Sequence, residues 1–142
     1  MILIAAMCLS FPIMTFSAEI TFVVKKLRNT EGVALVYIFD DAIKWEKEND
    51  DGGKPVITCK NKQPIANNEV SVVCDIAPGT YGATLMHDEN DNGEFDTNFV
   101  GMPKEGYGFS NDAEAGMSMP DFKEATFTVD TKDKAININA TY

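Results

Sequence analysis

Asp88, Asn90, Asn92, Glu94 and Asp96 occupy every second position of His87-Asp88-Glu89-Asn90-Asp91-Asn92-Gly93-Glu94-Phe95-Asp96-Thr97-Asn98. The pattern Asp-x-Asn-x-Asn-Gly-x-Phe-Asp parallels the first nine positions of an EF-hand calcium loop. Calcium is a hard cation that takes six to eight oxygens at about 2.3–2.6 Å. In a tightly curled loop, alternate residues turn their oxygens inward. The spacing predicts side-chain oxygens from Asp88, Asn90 and Asn92, a sharp turn at Gly93, the backbone carbonyl of Glu94, and Asp96 directly or through water. Phe95 is expected to point back and anchor the loop. The twelfth position, a bidentate Glu in the full motif, is Phe99 here. Glu105, Asp112 or water would have to supply the missing oxygens, and the expected affinity is weak, on the order of 10⁻⁴–10⁻³ M. Five carboxylates crowd residues 88–96 with no basic side chain among them, a repulsion that a divalent cation relieves. Magnesium, with its strict octahedron and retained waters, fits less well. The bland alternative is a polar connection whose Asn and Asp side chains bond their own backbone.

Other chemistry is sparse. His87 is the single histidine, so neither a multi-histidine zinc site nor a serine triad can be assembled. A hydrolase would need His87 with Asp88, Glu105 or Asp112 as acid and base, and Ser110 has no other base to activate it. The plainer expectation for His87 is a strand-end residue bonded to a loop. Gly101 to Asn111 sets glycines beside aromatics, so Tyr107, Phe109 and Asn111 form a possible ligand surface, for a glycan or a protein partner. The competing reading is a satellite core beneath the loop. Cys59 and Cys74 flank the turn-rich Lys60–Asn68. In an oxidising compartment they are expected to pair, stabilising the fold by about 3 kcal/mol. Two buried thiols are the alternative.

These residues must be held by strands. Ile20, Phe22 and Val24 alternate with Thr21, Val23 and Lys25. Val33 to Phe39 is apolar on both faces, as a central strand is. Alternation recurs at Val70–Ile76, Tyr81–Leu85, Ala125–Val129 and Ile136–Tyr142, with a weaker run at Val56–Cys59. Only Asp41 to Glu48 is helical in pattern, with Asp40 or Asp41 as N-cap and Trp45 as its anchor. The expected fold is all-β: one immunoglobulin-like or transthyretin-like sandwich of about seven strands, with one short helix. From His87 to Glu124 no strand-like run is visible. A loop of that length in a small domain needs a reason for its order, and Phe95, Phe99, Tyr107, Phe109 and Phe122 are expected to turn inward.

Composition narrows the class further. The 142 residues carry 12 basic and 22 acidic side chains, a formal net charge of −10. Phosphate backbones repel such a chain, which excludes nucleic acid as a natural partner. Nine Phe and four Tyr argue against disorder. Met1 to Ala18 contains no charged side chain, is too short and Pro-interrupted to span a bilayer, and ends in Thr15-Phe16-Ser17-Ala18. It reads as a signal peptide cut after Ser17 or Ala18, lacking the usual basic residue; the alternative is an uncleaved anchor or a buried first strand. Cys8 lies within it without a lipoprotein box. The expected domain is 19–142, exported to the periplasm or secreted, monomeric, and without a membrane span. The Asn139-Ala140-Thr141 sequon ends a predicted strand and is discounted.

Ile76-Ala77-Pro78-Gly79-Thr80-Tyr81 resembles the strand openings of transthyretin-like and carboxypeptidase-regulatory-like sandwiches. The longer block, Met86 to Asn111 with Pro120-Asp121-Phe122 and Ala125-Thr126-Phe127, closely resembles the bacterial exported family called domain of unknown function 2141. That resemblance implies a small periplasmic or secreted β-sandwich and no established activity. The acidic loop is separately similar to calcium loops in the B modules of surface serine-aspartate repeat proteins. The readings left open are a calcium-ordered non-catalytic module, a small hydrolase built on His87, and a purely structural envelope protein with no ion site.

Overall fold

The computed structural model describes residues 16–47, 53–116 and 118–142. Among these residues eight strands form two sheets, the first of three strands. β1 (Ala18–Lys25) lies antiparallel to β4 (Val70–Ile76) and parallel to β8 (Lys134–Asn139). The second sheet places β2 (Val33–Phe39) between β3 (Ile57–Lys60) and β5 (Gly79–Asp88). Along the other edge of β5, β7 (Thr126–Val129) pairs with Gly79–Gly82 and β6 (Gly106–Phe109) with Thr84–His87. The fold is the all-β sandwich that the alternating sequence requires, because each sheet buries its apolar face against the other.

The period-2 pattern sets the main core. Ile20, Phe22 and Val24 from β1, Val36 and Ile38 from β2, Val72 and Ile76 from β4, and Ile138 from β8 have no accessible surface. β2 is apolar on both faces because both are covered. Its Ala34, Val36 and Ile38 enter the main core, while Phe39 enters a second cluster with Trp45, Phe109 and Ala125 on the outer face of the sheet. α1 (Ala42–Glu46) starts where the Asp41 carboxylate accepts the Lys44 N–H at 2.8 Å, an N-cap. It delivers Trp45 edge-on to Phe39 and Phe122, with ring centroids 5.7 Å away in each case, and the indole Nε1 donates to the Pro120 carbonyl. Trp45 is the predicted helix anchor.

Two elements escape the sequence pattern. β5 runs on through His87 and Asp88, so the acidic loop begins inside a strand. β6 lies in the stretch expected to be structureless, which brings the count to eight strands. The reason is steric. A Cβ at Gly108 would sit 2.7 Å from the Asn139 carbonyl oxygen, and one at Gly106 would sit 2.6 Å from the Tyr142 ring. One face of β6 is pressed against the C-terminal segment, so only glycine fits there. The glycines erase the alternation that would announce a strand. A short helix, α2 (Phe122–Ala125), precedes β7.

Cys59 and Cys74 form a disulfide, with Cα atoms 6.0 Å apart. It joins β3 of one sheet to β4 of the other, and so ties the sandwich together at one edge. Ala18 is buried as the first residue of β1, paired with Ile76. Of the two expected leader cuts, the one after Ser17 keeps this pair. Residues 1–15 of the expected leader, and Glu48 at the expected helix end, lie outside the described residues.

Candidate functional site

The predicted ion residues fold into one compact loop. Asp88, fully buried at the end of β5, accepts the Asn92 N–H on Oδ1 at 3.1 Å and the Gly93 N–H on Oδ2 at 2.7 Å. Gly93 has φ +79°, the left-handed backbone that the sharp turn requires. The side-chain amides of Asn90 and Asn92 both donate to Asp96 Oδ2, at 2.7 and 3.4 Å. Their oxygens accept backbone N–H groups two residues ahead, Asn90 Oδ1 from Asn92 and Asn92 Oδ1 from Glu94. Each such oxygen keeps a second lone pair. Among the described residues no three His, Cys, Asp or Glu side chains gather closely enough to hold a metal by themselves. Any ion here would be held by two carboxylates supplemented with amide and carbonyl oxygens, a donor set that suits a hard cation.

Distant residues relieve part of the charge crowding expected from sequence, pairing with two of the five carboxylates. Arg28 binds Glu89 through two bonds of 2.7 and 2.8 Å, and Lys60 reaches Asp91 at 2.9 Å. The Arg28 guanidinium holds the Glu89 carboxyl below its ordinary range, and Glu89 in turn raises Arg28. Asp88 and Asp96 remain as the inward carboxylates.

Glu105 and Arg28 clasp the base of the loop. Glu105 is only 3% exposed; its Oε1 accepts the Glu89 N–H at 3.1 Å and its Oε2 the Asp96 N–H at 3.0 Å. Arg28 also donates to the Lys104 carbonyl at 2.8 Å, so it grips both ends of the segment. Of the residues considered for the missing twelfth position, Glu105 thus borders the loop. Asp112 does not, because its carboxylate is spent on the backbone N–H and side-chain amide of Asn139, both at 2.8 Å.

His87 is enclosed. Its Nε2 meets the Glu31 carbonyl at 2.9 Å and therefore carries the proton, while Nδ1 meets the Tyr142 hydroxyl at 2.6 Å. Burial raises the Tyr142 phenol, and Arg28 stacks 4.6 Å above its ring. An imidazole with no accessible surface and both nitrogens engaged is the bonded strand-end residue foreseen. The hydrolase alternative gains no exposed base from it. Ser110 is likewise structural: its buried hydroxyl bonds Ala83 and the Ala125 carbonyl.

The predicted ligand surface divides. Tyr107 and Phe109 lie edge-on in β6, centroids 6.1 Å apart, and Phe109 also packs on Trp45. Asn111 turns away, donating to the Glu124 and Thr126 carbonyls. Phe95 anchors only partly, edge-on to Tyr107 at 6.3 Å and 40% exposed. Phe99, expected to turn inward, is 99% exposed at the loop tip, where Asn98 Oδ1 ties down the Val100 and Met102 N–H groups. Between the loop and the outer face of the second sheet opens a cleft of about 680 Å³, lined by Tyr37, Met86 and Tyr107 from the strands, Phe95 and Met102 from the loop, and Met119. Tyr107 and Phe109, of the predicted ligand surface, both line this cleft; the rest of its lining was not legible in the sequence because it is drawn from several separate stretches of chain.

Fold and site together define a small β-sandwich domain with an elaborated acidic β5–β6 connection. Among the described residues no helix is long and apolar enough to cross a membrane. The family described as "Uncharacterized protein conserved in bacteria (DUF2141)" matches residues 22–137, so the chain belongs to that bacterial family. No curated protein and no solved structure matches the chain.

Proposed function

We propose that this protein is an exported, non-catalytic β-sandwich module whose acidic loop binds calcium and presents the ordered 88–105 segment to a protein or glycan partner. The observation that carries the reading is the meeting of the Asn90 and Asn92 amides at the Asp96 carboxylate, in a loop whose first residue is the buried Asp88. Two inward carboxylates match the charge of one divalent cation, since Arg28 and Lys60 take up Glu89 and Asp91. Replacing the Asn–Asp hydrogen bonds by bonds to calcium keeps the loop's shape while removing the repulsion between its carboxylates. Export rests on the uncharged apolar segment Met1–Ala18 and on the disulfide, which favours an oxidising compartment.

A second reading also has support. The hydrogen bonds of Asp88, Glu105 and Arg28 already clasp the loop, as a purely structural envelope protein would need. Calorimetric titration of calcium into chelator-treated protein separates the two. With a dissociation constant of about 10⁻⁴–10⁻³ M, about 10 mM calcium stabilises the fold by about 1.4–2.7 kcal/mol. The melting temperature then rises by roughly 3–10 °C. Asp96→Asn, which removes charge from a partly exposed position, abolishes both heat and shift. Silence in the unaltered protein establishes the structural reading.

A further inference from the structure

We propose that the cleft beside the acidic loop binds an uncharged, largely apolar small molecule, of ring or short acyl character. The argument stands on the cleft and not on the ion. A volume of about 680 Å³ falls within the range of sites that enclose a ligand of a few hundred daltons. In a chain whose net charge is −10, none of the described residues lining the cleft is acidic, basic or histidine. Of the loop's carboxylates, Glu89 is bonded to Arg28, Asp91 to Lys60, Asp88 to the loop's own backbone and Asp96 to the Asn90 and Asn92 amides.

An occupant bearing charge would lose its hydration there without gaining a partner. A sugar, dense in hydroxyls, would find no carboxylate and no side-chain amide among the described lining residues, Asn111 being turned to Glu124 and Thr126. The described lining instead includes the rings of Phe95, Tyr107 and Tyr37 together with Met86, Met102 and Met119. Rings supply broad apolar contact and thioethers adapt to irregular shapes. Phe95 and Met102, 40% and 60% exposed where they line the cleft, are the apolar surface that such a ligand would cover. The cleft is a concavity, so the partner is a free small molecule and not a bilayer surface.

The test is titration of the intact exported chain with N-phenyl-1-naphthylamine, an uncharged dye that fluoresces in apolar surroundings, carried out in chelator so that failure of the calcium reading leaves it standing. Saturable enhancement at one dye per chain is expected. The double substitution Phe95→Ser with Met102→Ser should weaken it by about tenfold or more, the loss of two apolar contacts. Both side chains are exposed, and far-ultraviolet circular dichroism verifies that the variant is folded. Ile43→Ser, at an exposed apolar position on α1 outside the cleft lining, should leave the affinity unchanged. The proposal is overturned by absence of saturable binding, by equal affinity in the double variant, by equal loss in the Ile43 variant, or by dye displaced only by phospholipid vesicles and not by soluble apolar competitors.

Discussion

Glu105→Gln tests whether the loop is clasped from beneath. The wild-type carboxylate is 3% exposed and accepts one backbone N–H on each oxygen, from Glu89 at 3.1 Å and Asp96 at 3.0 Å. Glutamine retains one acceptor and turns an NH₂ group toward the other N–H. One charge-assisted bond is lost and one buried donor is left facing a donor, a cost of about 2–3 kcal/mol. Glu105→Ala loses both bonds and leaves a cavity, a cost of about 3–5 kcal/mol. Urea unfolding measures the global part. Amide hydrogen exchange at Glu89 and Asp96 measures the local part, and protection there should fall by about 30-fold or more in the Gln variant. A Gln variant within about 0.5 kcal/mol of the wild type, with unchanged exchange at both amides, would refute the clasp.

Other consequences follow from the same contacts. Because Arg28 depresses the Glu89 carboxyl, their pair contributes above the unfolded carboxyl value, near the ordinary 4.5, and is lost as the pH falls through the lower folded value. Arg28→Gln should therefore be less stable at neutral pH, with the gap to wild type narrowing below about pH 4.5 in thermal melts to what the Lys104 bond and the Tyr142 stack contribute; a gap independent of pH would remove the ion pair from the account. Cys59→Ser with Cys74→Ser should lower stability by about 3 kcal/mol by denaturant titration, and reductant should reproduce that loss in the wild type but add nothing to the variant. Gly108→Ala forces a Cβ to within 2.7 Å of the Asn139 carbonyl and should cost about 1–3 kcal/mol, whereas Phe99→Ser, at a 99% exposed ring, should stay within about 0.5 kcal/mol.

What the sequence made legible follows from what repeats locally. The strands β1, β4 and β8 announce themselves because each buries an alternating face, β2 because it is apolar on both faces, and Trp45 because a short amphipathic helix has one large side chain to bury. β6 was hidden because close packing against Ile138, Asn139 and Tyr142 replaced its alternate side chains with hydrogen. In the site, Asp88, Asn90, Asn92 and Asp96 were legible because turn-forming residues act on their own neighbours. Arg28, Lys60 and Tyr142 were not, since they reach the loop across 61, 31 and 55 positions of chain, as Arg28 to Glu89, Lys60 to Asp91 and Tyr142 to His87. Glu105 was noticed only as a possible oxygen donor. That it clasps the loop's backbone depends on β6 placing it beneath the loop. The exposed Phe99 breaks the rule that rings turn inward, because Asn98 locks the turn around it.

The central claim is that residues 88–96 cradle a divalent cation. The most direct measurement is a calcium titration followed by amide chemical shifts along the backbone. The account predicts saturable shifts concentrated at Asn90, Asn92, Gly93, Glu94 and Asp96, with half-saturation at about 10⁻⁴–10⁻³ M and their loss in Asp96→Asn. Resonances of these amides that stay fixed to about 10 mM calcium, or shifts scattered over the acidic surface without saturation, would contradict it.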